Sequence, residues 1–493
     1  MSEDAFDAII VGGGLAGLTA GYVMAQAGLM VLLVEKGNYS GSKNVTGGRL
    51  YGHSLEKVIP EFAEVAPLER KITKEKLSVC RNGQIETQEY PASSVTDPSG
   101  YSYSVLRAKF DKWYADECEQ TGVELICGVR VDDLLIRDGK ACGIVAAGEE
   151  MEANVVLLAD GVNSLLAQKI GLRDSRPAAA DQITVGVKEV IELGEDVVNH
   201  RFGFQSGEGV AWMFLGCCTD TQGCDGFLYT NKDTVSLGVT MRVDNIPSLD
   251  KTVPQLMEDF KRNPMIASLI EGGKLLEYAA HLIPEGGETM MPKLYGDGVL
   301  VLGDAAGLAA NLGYTVRGMD LAIESGRLAA EVVIAAIEKE RYDSSTLAAY
   351  EQALKESFVF PCMREAESSL KNSKAGNYRN SASTLDESMS WILLSGNDAN
   401  KVNIPDKLGI NKFHTDEFNA HVEVDKAYPD KTEMDLLVRA CPAALYSVDE
   451  KGTLFFDYLG CLECGTCRIL SERKVVKSWN YPQGTLGIEY RMG

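Results

Sequence analysis

Three glycines constrain this chain more than any other feature in it. Gly12, Gly14 and Gly17 form a G-x-G-x-x-G run directly after the apolar stretch Phe6-Asp-Ala-Ile-Ile-Val11. A helical pattern follows to about Ala27, then a second apolar stretch from Met30 to Val34, closed by Glu35 and Lys36. Strand, tight turn, helix and strand in that order make a dinucleotide cradle. Gly12 permits the turn, Gly14 lets the backbone approach a pyrophosphate, and Gly17 lets the helix pack on the strand. The helix N-terminus offers unpaired N–H groups and the positive end of its dipole to the phosphates. Glu35, 18 residues after Gly17, can accept hydrogen bonds from ribose hydroxyls. A merely structural glycine turn is the competing reading, and the flanking strand, helix and acid weigh against it. The unit alone does not separate FAD from NAD.

Two later segments make that separation. Residues 155 to 161 read Val-Val-Leu-Leu-Ala-Asp-Gly, a buried strand ending in Asp160-Gly161. Residues 298 to 304 read Gly-Val-Leu-Val-Leu-Gly-Asp, a second buried strand ending in Gly303-Asp304, after which Ala305-Ala306-Gly307 is expected to open a helix. An acid at the carboxyl edge of a strand, beside a glycine, can hold a ribityl hydroxyl, and ligands of such sheets bind at the carboxyl ends of the strands. Taken with the glycine run, these segments resemble the glutathione-reductase-like FAD superfamily, in its branch of aromatic hydroxylases and geranylgeranyl reductases. The resemblance implies FAD. It also implies a flavin contact for Arg107, which begins the helical stretch Arg-Ala-Lys-Phe-Asp-Lys-Trp; an ordinary surface arginine is the alternative. No second G-x-G-x-x-G with strand and helix around it occurs, and no Cys-x4-Cys pair lies near the first helix. A separate NAD(P)H domain is not expected.

At 493 residues the chain calls for two or three domains. A net charge of −23 argues against nucleic acid, which needs clustered Lys and Arg. It suits basic protein partners, or simple solubility. The start, Met1-Ser2-Glu3-Asp4, lacks the positive segment of a secretory signal. With twelve cysteines this places the chain in a reducing, cytoplasmic setting. No apolar run is long enough to span a membrane; peripheral contact with the inner face of the cell membrane stays open.

Between 181 and 292 the pattern becomes that of an inserted sheet. Gln182 to Ile191, Val210 to Gly216 and Thr234 to Arg242 read as strands, and Val253 to Arg262 as a helix that Pro264 stops. In related flavoproteins such a sheet covers the flavin and forms the acceptor pocket. Trp212, Met213 and Phe214 then line a quinone pocket or a membrane-facing patch, or are ordinary sheet core. Cys217, Cys218 and Cys224 have no His nearby and read as structural.

Residues 307 to 331 contain Asn311-Leu-Gly-Tyr-Thr-Val-Arg317-Gly-Met-Asp320. This stretch and Thr46-Gly47-Gly48-Arg-Leu-Tyr51 closely resemble the FixC family of electron-transfer-flavoprotein:quinone oxidoreductases, over residues 5 to about 400. Gly47, Gly48 and Gly307 join the cofactor-contact candidates on that basis.

Past a linker near 398 to 406, Cys461, Cys464 and Cys467 form C-x2-C-x2-C, and Cys441-Pro442 lies 20 residues upstream. Three thiolates at this spacing wrap one corner of a cubane, with the fourth ligand supplied from elsewhere. Around Cys441 the other positions of a second run hold Lys431, Met434 and Leu437, and Ser471 follows Cys467 where a fourth Cys would stand. One [4Fe–4S] site survives, with ligands Cys441, Cys461, Cys464 and Cys467. Structural zinc is the rival, but zinc favours two separate knuckles. The segment resembles the FixX ferredoxin-like proteins, carried by Asn411-Lys-Phe, Cys441-Pro-Ala-Ala-Leu-Tyr446, Phe456-Asp-Tyr458, Cys461-Leu-Glu-Cys-Gly-Thr-Cys467 and Trp479-Asn-Tyr-Pro-Gln-Gly484.

The expectation is an α/β glutathione-reductase-like FAD-binding Rossmann domain with an inserted antiparallel-sheet acceptor domain, plus a C-terminal α+β ferredoxin-like domain. The FAD-binding parts fall at about 1–180 and 293–340, the insert at about 181–292, a helical part runs to 400, and the ferredoxin-like domain covers 405–493. The resemblance implies an electron-transfer flavoprotein, with its alpha and beta subunits, as donor and a membrane quinone as acceptor, either directly or inside an electron-bifurcating complex. No catalytic residue is named, since none of the five His falls in a motif. A prenyl-lipid reductase of the geranylgeranyl type and a non-catalytic electron-carrying subunit are the alternatives.

Overall fold

The structure, a computed structural model, describes residues 5–81, 84–92, 101–216, 224–374, 403–471 and 473–493. Cys217, Cys218 and positions 398–402 of the expected linker lie outside them.

The apolar strand Phe6–Val11 sits between Val31–Glu35 and Glu149–Leu158, parallel to both. Val299–Val301 extends the parallel set on one side and Glu124–Cys127 on the other. These strands carry near-continuous runs of buried residues, as a sheet covered on both faces requires. Helix Leu15–Gln26 buries almost its whole surface against the long helix Met319–Glu338 and the sheet. Its hydrophobicity all round fits an interior helix rather than a surface one.

The second sheet, nine-stranded among the described residues, is mostly antiparallel. Ile183–Glu192, Glu208–Leu215, Cys224–Thr230, Thr234–Arg242 and Lys274–Pro284 supply the strands from the expected insert. Arg49–Tyr51, Arg70–Arg81, Gln84–Pro91 and Ser102–Ser104 complete it, strands the sequence reading had not assigned. Helix Val253–Arg262 begins with a capping box between Thr252 and Gln255, and Pro264 both follows its end and starts the next helix, Pro264–Ile270.

Three local expectations change. First, no α-helix opens at Ala305. Gly303–Ala306 is a single tight turn, ended by Gly307 in the left-handed region at φ +75°, which favours glycine. A short hairpin, Ala310–Asn311 with Val316–Arg317, comes next, and the helix starts only at Met319. Second, Trp212 and Phe214 stack in the core on one face of the sheet, with Trp212 Nε1 donating to Ser78 Oγ at 2.8 Å. Side chains alternate along a strand, so Met213 alone of the three turns to the other face. The exposed large apolar side chains among the described residues are Met30, Val65, Ile136, Phe418, Phe455 and Leu459, and none belongs to 181–292. The Trp212 strand is therefore no membrane patch. No described helix is long and apolar enough to cross a membrane. Third, the C-terminal segment does not stand apart. Ile404, Ala443, Leu462, Cys464, Ile488 and Tyr490 pack in one hydrophobic cluster with the core of the second sheet.

Candidate functional site

At the carboxyl end of Phe6–Val11, Gly12 turns the chain at φ +109°, and a Cβ there would lie 2.3 Å from the Ala159 carbonyl oxygen. Gly14 caps the helix in extended conformation. A Cβ on it would meet only Asn44 Nδ2 at 3.7 Å and Arg107 Nη2 at 3.9 Å, so this backbone edge faces open space. Gly17 has the opposite surroundings: a Cβ would sit 2.1 Å from the Gly12 carbonyl oxygen, which holds helix and turn together. Glu35 accepts from the backbone N–H of Gly13 and of Gly37, each at 2.7 Å. An ionised carboxylate has lone pairs left for two further donors, as ribose hydroxyls would be.

These groups open onto a cavity of about 720 Å³. It brings together Gly12, Gly14, Glu35, Lys36, Gly47, Gly48, Arg107, Asp160, Gly161, Gly303 and Asp304. Gly17 and Gly307 shape its walls from behind and do not line it. Arg107 grips Asp111 with Nε and Nη2, both at 2.7 Å, and Asn44 Nδ2 donates to the same carboxylate at 2.6 Å. Burial pushes Asp304 up to about 6 against the pull of Arg107. Its carboxyl forms no hydrogen bond with the described residues, so a ligand hydroxyl is its natural partner. Asp160 accepts from Ser164 Oγ at 3.2 Å and Leu166 N at 3.4 Å, and burial raises it.

The second sheet adds residues that sequence reasoning missed. Register places Asp225 opposite Thr240, Thr240 opposite Gly186, and Gly186 opposite His281, so one row of the sheet presents Thr240 and His281 to the cavity across a glycine gap. Burial, then the positive charges of Arg107 and Lys36, pushes His281 down to about 4, which keeps the ring neutral near pH 7. Burial likewise pushes Lys188, two positions along the neighbouring strand, down to about 8, opposed by Glu277; it donates to the Gly493 carbonyl. A signal existed in the pattern: Lys188 and His281 break runs of largely apolar residues, as do Thr184, Glu189 and Glu277 on the same strands.

The cysteine segment forms another wall. Leu462, Glu463, Arg468, Trp479 and Tyr481 line the same cavity as Gly12 and Asp304. Glu463, between Cys461 and Cys464, is held in the left-handed region at φ +57°, uncommon for a residue with a side chain. Its buried carboxylate pairs with Lys43 Nζ at 2.7 Å and Lys36 Nζ at 3.3 Å, and accepts from Ile488 N at 3.0 Å. Burial works to raise Glu463, but Lys43 and Lys36 hold it below the usual carboxylate range. Lys36 also sits over the Tyr481 ring, 3.1 Å from its centre, and Asn163 Nδ2 donates to Tyr481 Oη at 3.1 Å and to the Cys464 carbonyl at 3.4 Å. Cys441, Cys461, Cys464 and Cys467 carry no disulfide. Burial raises all four thiols, to about 12 for Cys441 and Cys467, and the neighbouring sulfurs raise Cys441 and Cys461 further. Glu463 N donates to Cys461 Sγ at 3.4 Å, and Cys464 Sγ lies 3.3 Å from Thr466 Oγ1. Among the described residues, no three His, Cys, Asp or Glu side chains converge as a ready site for one metal ion.

The family described as FAD dependent oxidoreductase matches residues 7–168. Protein FixC of Salmonella typhi is 51% identical over 356 residues, 72% of this chain and 83% of that protein. The probable electron transfer flavoprotein-quinone oxidoreductase YdiS of Escherichia coli strain K12 is 49% identical over 365 residues, 74% of this chain and 84% of that one. Among solved structures, a geranylgeranyl bacteriochlorophyll reductase-like protein of Thermoplasma acidophilum superposes with a TM-score of 0.62 at 18% identity, covering 75% of this chain and 88% of that one. That likeness concerns the fold alone.

Proposed function

The chain belongs to the FixC family and is an FAD-dependent oxidoreductase of electron transfer; from that premise we propose that it takes electrons from an electron-transfer flavoprotein and passes them, through FAD and one [4Fe–4S] cluster, to a membrane quinone. The observation that carries this reading is the shared cavity. Leu462 and Glu463, inside the C-x2-C-x2-C run, line the same space as Gly12, Arg107 and Asp304, which puts two candidate redox sites side by side within one fold.

The residues fit FAD at three points. Gly14 leaves room for a pyrophosphate at the helix N-terminus, Glu35 has lone pairs for the ribose, and the Asp304 carboxyl has no hydrogen-bond partner among the described residues. Gly47 and Gly48 pack against Tyr229, with a Cβ on Gly47 only 3.1 Å from its ring, which keeps that wall flat. Bound FAD supplies one- and two-electron chemistry; the chain's part is to hold it, exclude water and fix nearby charges. His281, neutral, and Lys188 set the polarity of the sheet face over the cavity.

Cys441, Cys461, Cys464 and Cys467 would hold the cluster. A cubane spreads four thiolates around several irons, whereas one zinc ion draws them to a single point. The four thiols lie close enough for neighbouring sulfurs to raise Cys441 and Cys461, as ligands gathered for one cluster would. In this reading residues 405–493 form the ferredoxin-like part, 181–292 the core of the acceptor domain, and the donor partner carries alpha and beta subunits. The name of the relative YdiS supports both the donor and the quinone.

The test is composition followed by transfer. Purified protein should hold one FAD and four irons, and Cys461→Ser should lose iron while keeping FAD. With a reduced electron-transfer flavoprotein, the intact protein should reduce a soluble benzoquinone. Two irons, or stoichiometric zinc, would sink the cluster assignment. Full cofactors without quinone reduction would sink the acceptor assignment.

A further inference from the structure

Two sequence segments, 46–51 and 311–320, meet at the cavity wall in a way that neither segment reveals. Arg49 and Arg317 both line the cavity. Their guanidinium carbons lie 4.4 Å and 4.5 Å from the ring centre of one buried tyrosine, Tyr51. The Tyr51 hydroxyl is 3.0 Å from Thr315 Oγ1. Each arginine is matched by its own buried carboxylate: Arg49 Nη2 with Glu75 at 2.7 Å, and Arg317 with Asp320 through Nε at 3.1 Å and through Nη2. The two charges are therefore balanced two against two, and this wall offers no net positive pull to an anion.

Arg317 is not fully used by the protein. Its hydrogen bonds run through Nε and Nη2, the latter also 3.1 Å from His53 Nε2, and Nη1 has no partner among the described residues. His53 Nε2 lies 3.2 Å from the same Asp320 oxygen, so carboxylate and imidazole fix the guanidinium from two sides. An arginine beside a cavity with a spare, oriented donor calls for an acceptor atom from a ligand. The surrounding wall is apolar and aromatic, with Met213, Phe227, Tyr229 and Val316. Flat apolar contacts with one charged donor in a charge-balanced setting suit a neutral, planar molecule bearing a carbonyl oxygen.

We infer that Arg317 binds a carbonyl oxygen of the electron acceptor, a neutral quinone-type dione, and that Asp320 and His53 are the residues that position it. The inference rests on the reading that the acceptor is a quinone. A charged donor favours an oxygen that gains negative charge over a neutral one, so Arg317 holds that oxygen most strongly while electrons have arrived and protons have not yet neutralised it.

The experiment uses the FAD-loaded, full-length protein and a short-chain, water-soluble benzoquinone. Binding to the oxidised protein is followed by calorimetry and by flavin fluorescence without any donor, with FAD content and thermal midpoint recorded alongside. Arg317→Lys keeps the charge opposite Asp320 and removes the fork. It should bind benzoquinone about ten- to a hundredfold more weakly at unchanged FAD content, and lower kcat further in the donor-coupled assay. His53→Gln should weaken binding by a smaller factor, about three- to tenfold. Equal affinity in wild type and Arg317→Lys would overturn the inference. Should Arg317→Lys fail to hold FAD, unchanged binding in His53→Gln overturns it instead. If wild type shows no saturable benzoquinone binding, the quinone reading itself falls, and the inference with it.

Discussion

Replacing Gly14 by valine should separate the cofactor site from the fold. The helix cap at Gly14 is extended, with φ −87° and ψ 179°, a conformation that β-branched residues adopt readily. The first added carbon would meet nothing closer than 3.7 Å, an ordinary contact distance. The unloaded chain should therefore keep its stability to within about 0.5 kcal/mol, as for a substitution that touches no packed group. The loaded chain should not. The new branches point into the space where the turn and the helix N-terminus would face a pyrophosphate, and a shift of an ångström or more would break about two charge-assisted hydrogen bonds. At about 1.5–3 kcal/mol each, that is about 3–6 kcal/mol, or two to four decades in Kd. The assay is FAD released per chain after purification, FAD titration of the stripped protein, and thermal unfolding of the stripped forms of wild type and variant. Iron content should stay at the wild-type level, because the cysteine loop is tied to Lys36, Lys43 and Asn163 rather than to Gly14. Wild-type affinity for FAD in Gly14→Val would refute the assignment of this turn to the pyrophosphate. A large loss of stability in the stripped protein would refute the claim that the space is open.

Gly17→Ala should behave in the opposite way: with 2.1 Å between the new carbon and the Gly12 carbonyl oxygen, the first helix must move off its strand, and thermal unfolding of the stripped protein should show a loss of about 1–3 kcal/mol. Glu463→Gln leaves two lysine ammoniums without their shared carboxylate. Breaking a buried pair costs about 3–5 kcal/mol; Lys36 is 24% exposed and keeps the Tyr481 ring, so urea unfolding should report about 2–3 kcal/mol, and unchanged unfolding would refute the tie. Burial holds His281 down to about 4 in the folded chain, against 6.5 as a free group. Between those values the unfolded chain binds the extra proton, so stability is lost as pH falls from 6.5 toward 4. The full shift would amount to at most about 3 kcal/mol, less here because the ring faces the cavity. His281→Gln should flatten the acid limb of a stability–pH curve, and an unaltered limb would argue against a buried neutral ring.

The dinucleotide cradle was legible in the sequence because its determinants are local. A buried strand, a turn at Gly12 with positive φ and a helix start are set by residues a few positions apart, so the grouping of Gly12, Gly14, Gly17 and Glu35 around one turn could be read from spacing alone. The four cysteines stood out for a similar reason, as a rare residue type at a ligand-like interval. Local pattern also misled once: Gly303-Asp304-Ala-Ala reads as a helix start, but Gly307 in the left-handed region ends the turn and moves the helix to Met319. What only the tertiary structure decided are the pairings between distant segments. Sheet register chose Met213 over Trp212 for the cavity and set Thr240 and His281 in one row. Packing brought Glu463 to Lys36 across 427 residues and set Arg49 and Arg317 on either side of Tyr51. A one-residue slip in register turns every side chain of a strand to its other face, and no local propensity records that choice. It is fixed by the burial of the apolar face as a whole, which exists only once the strands have met.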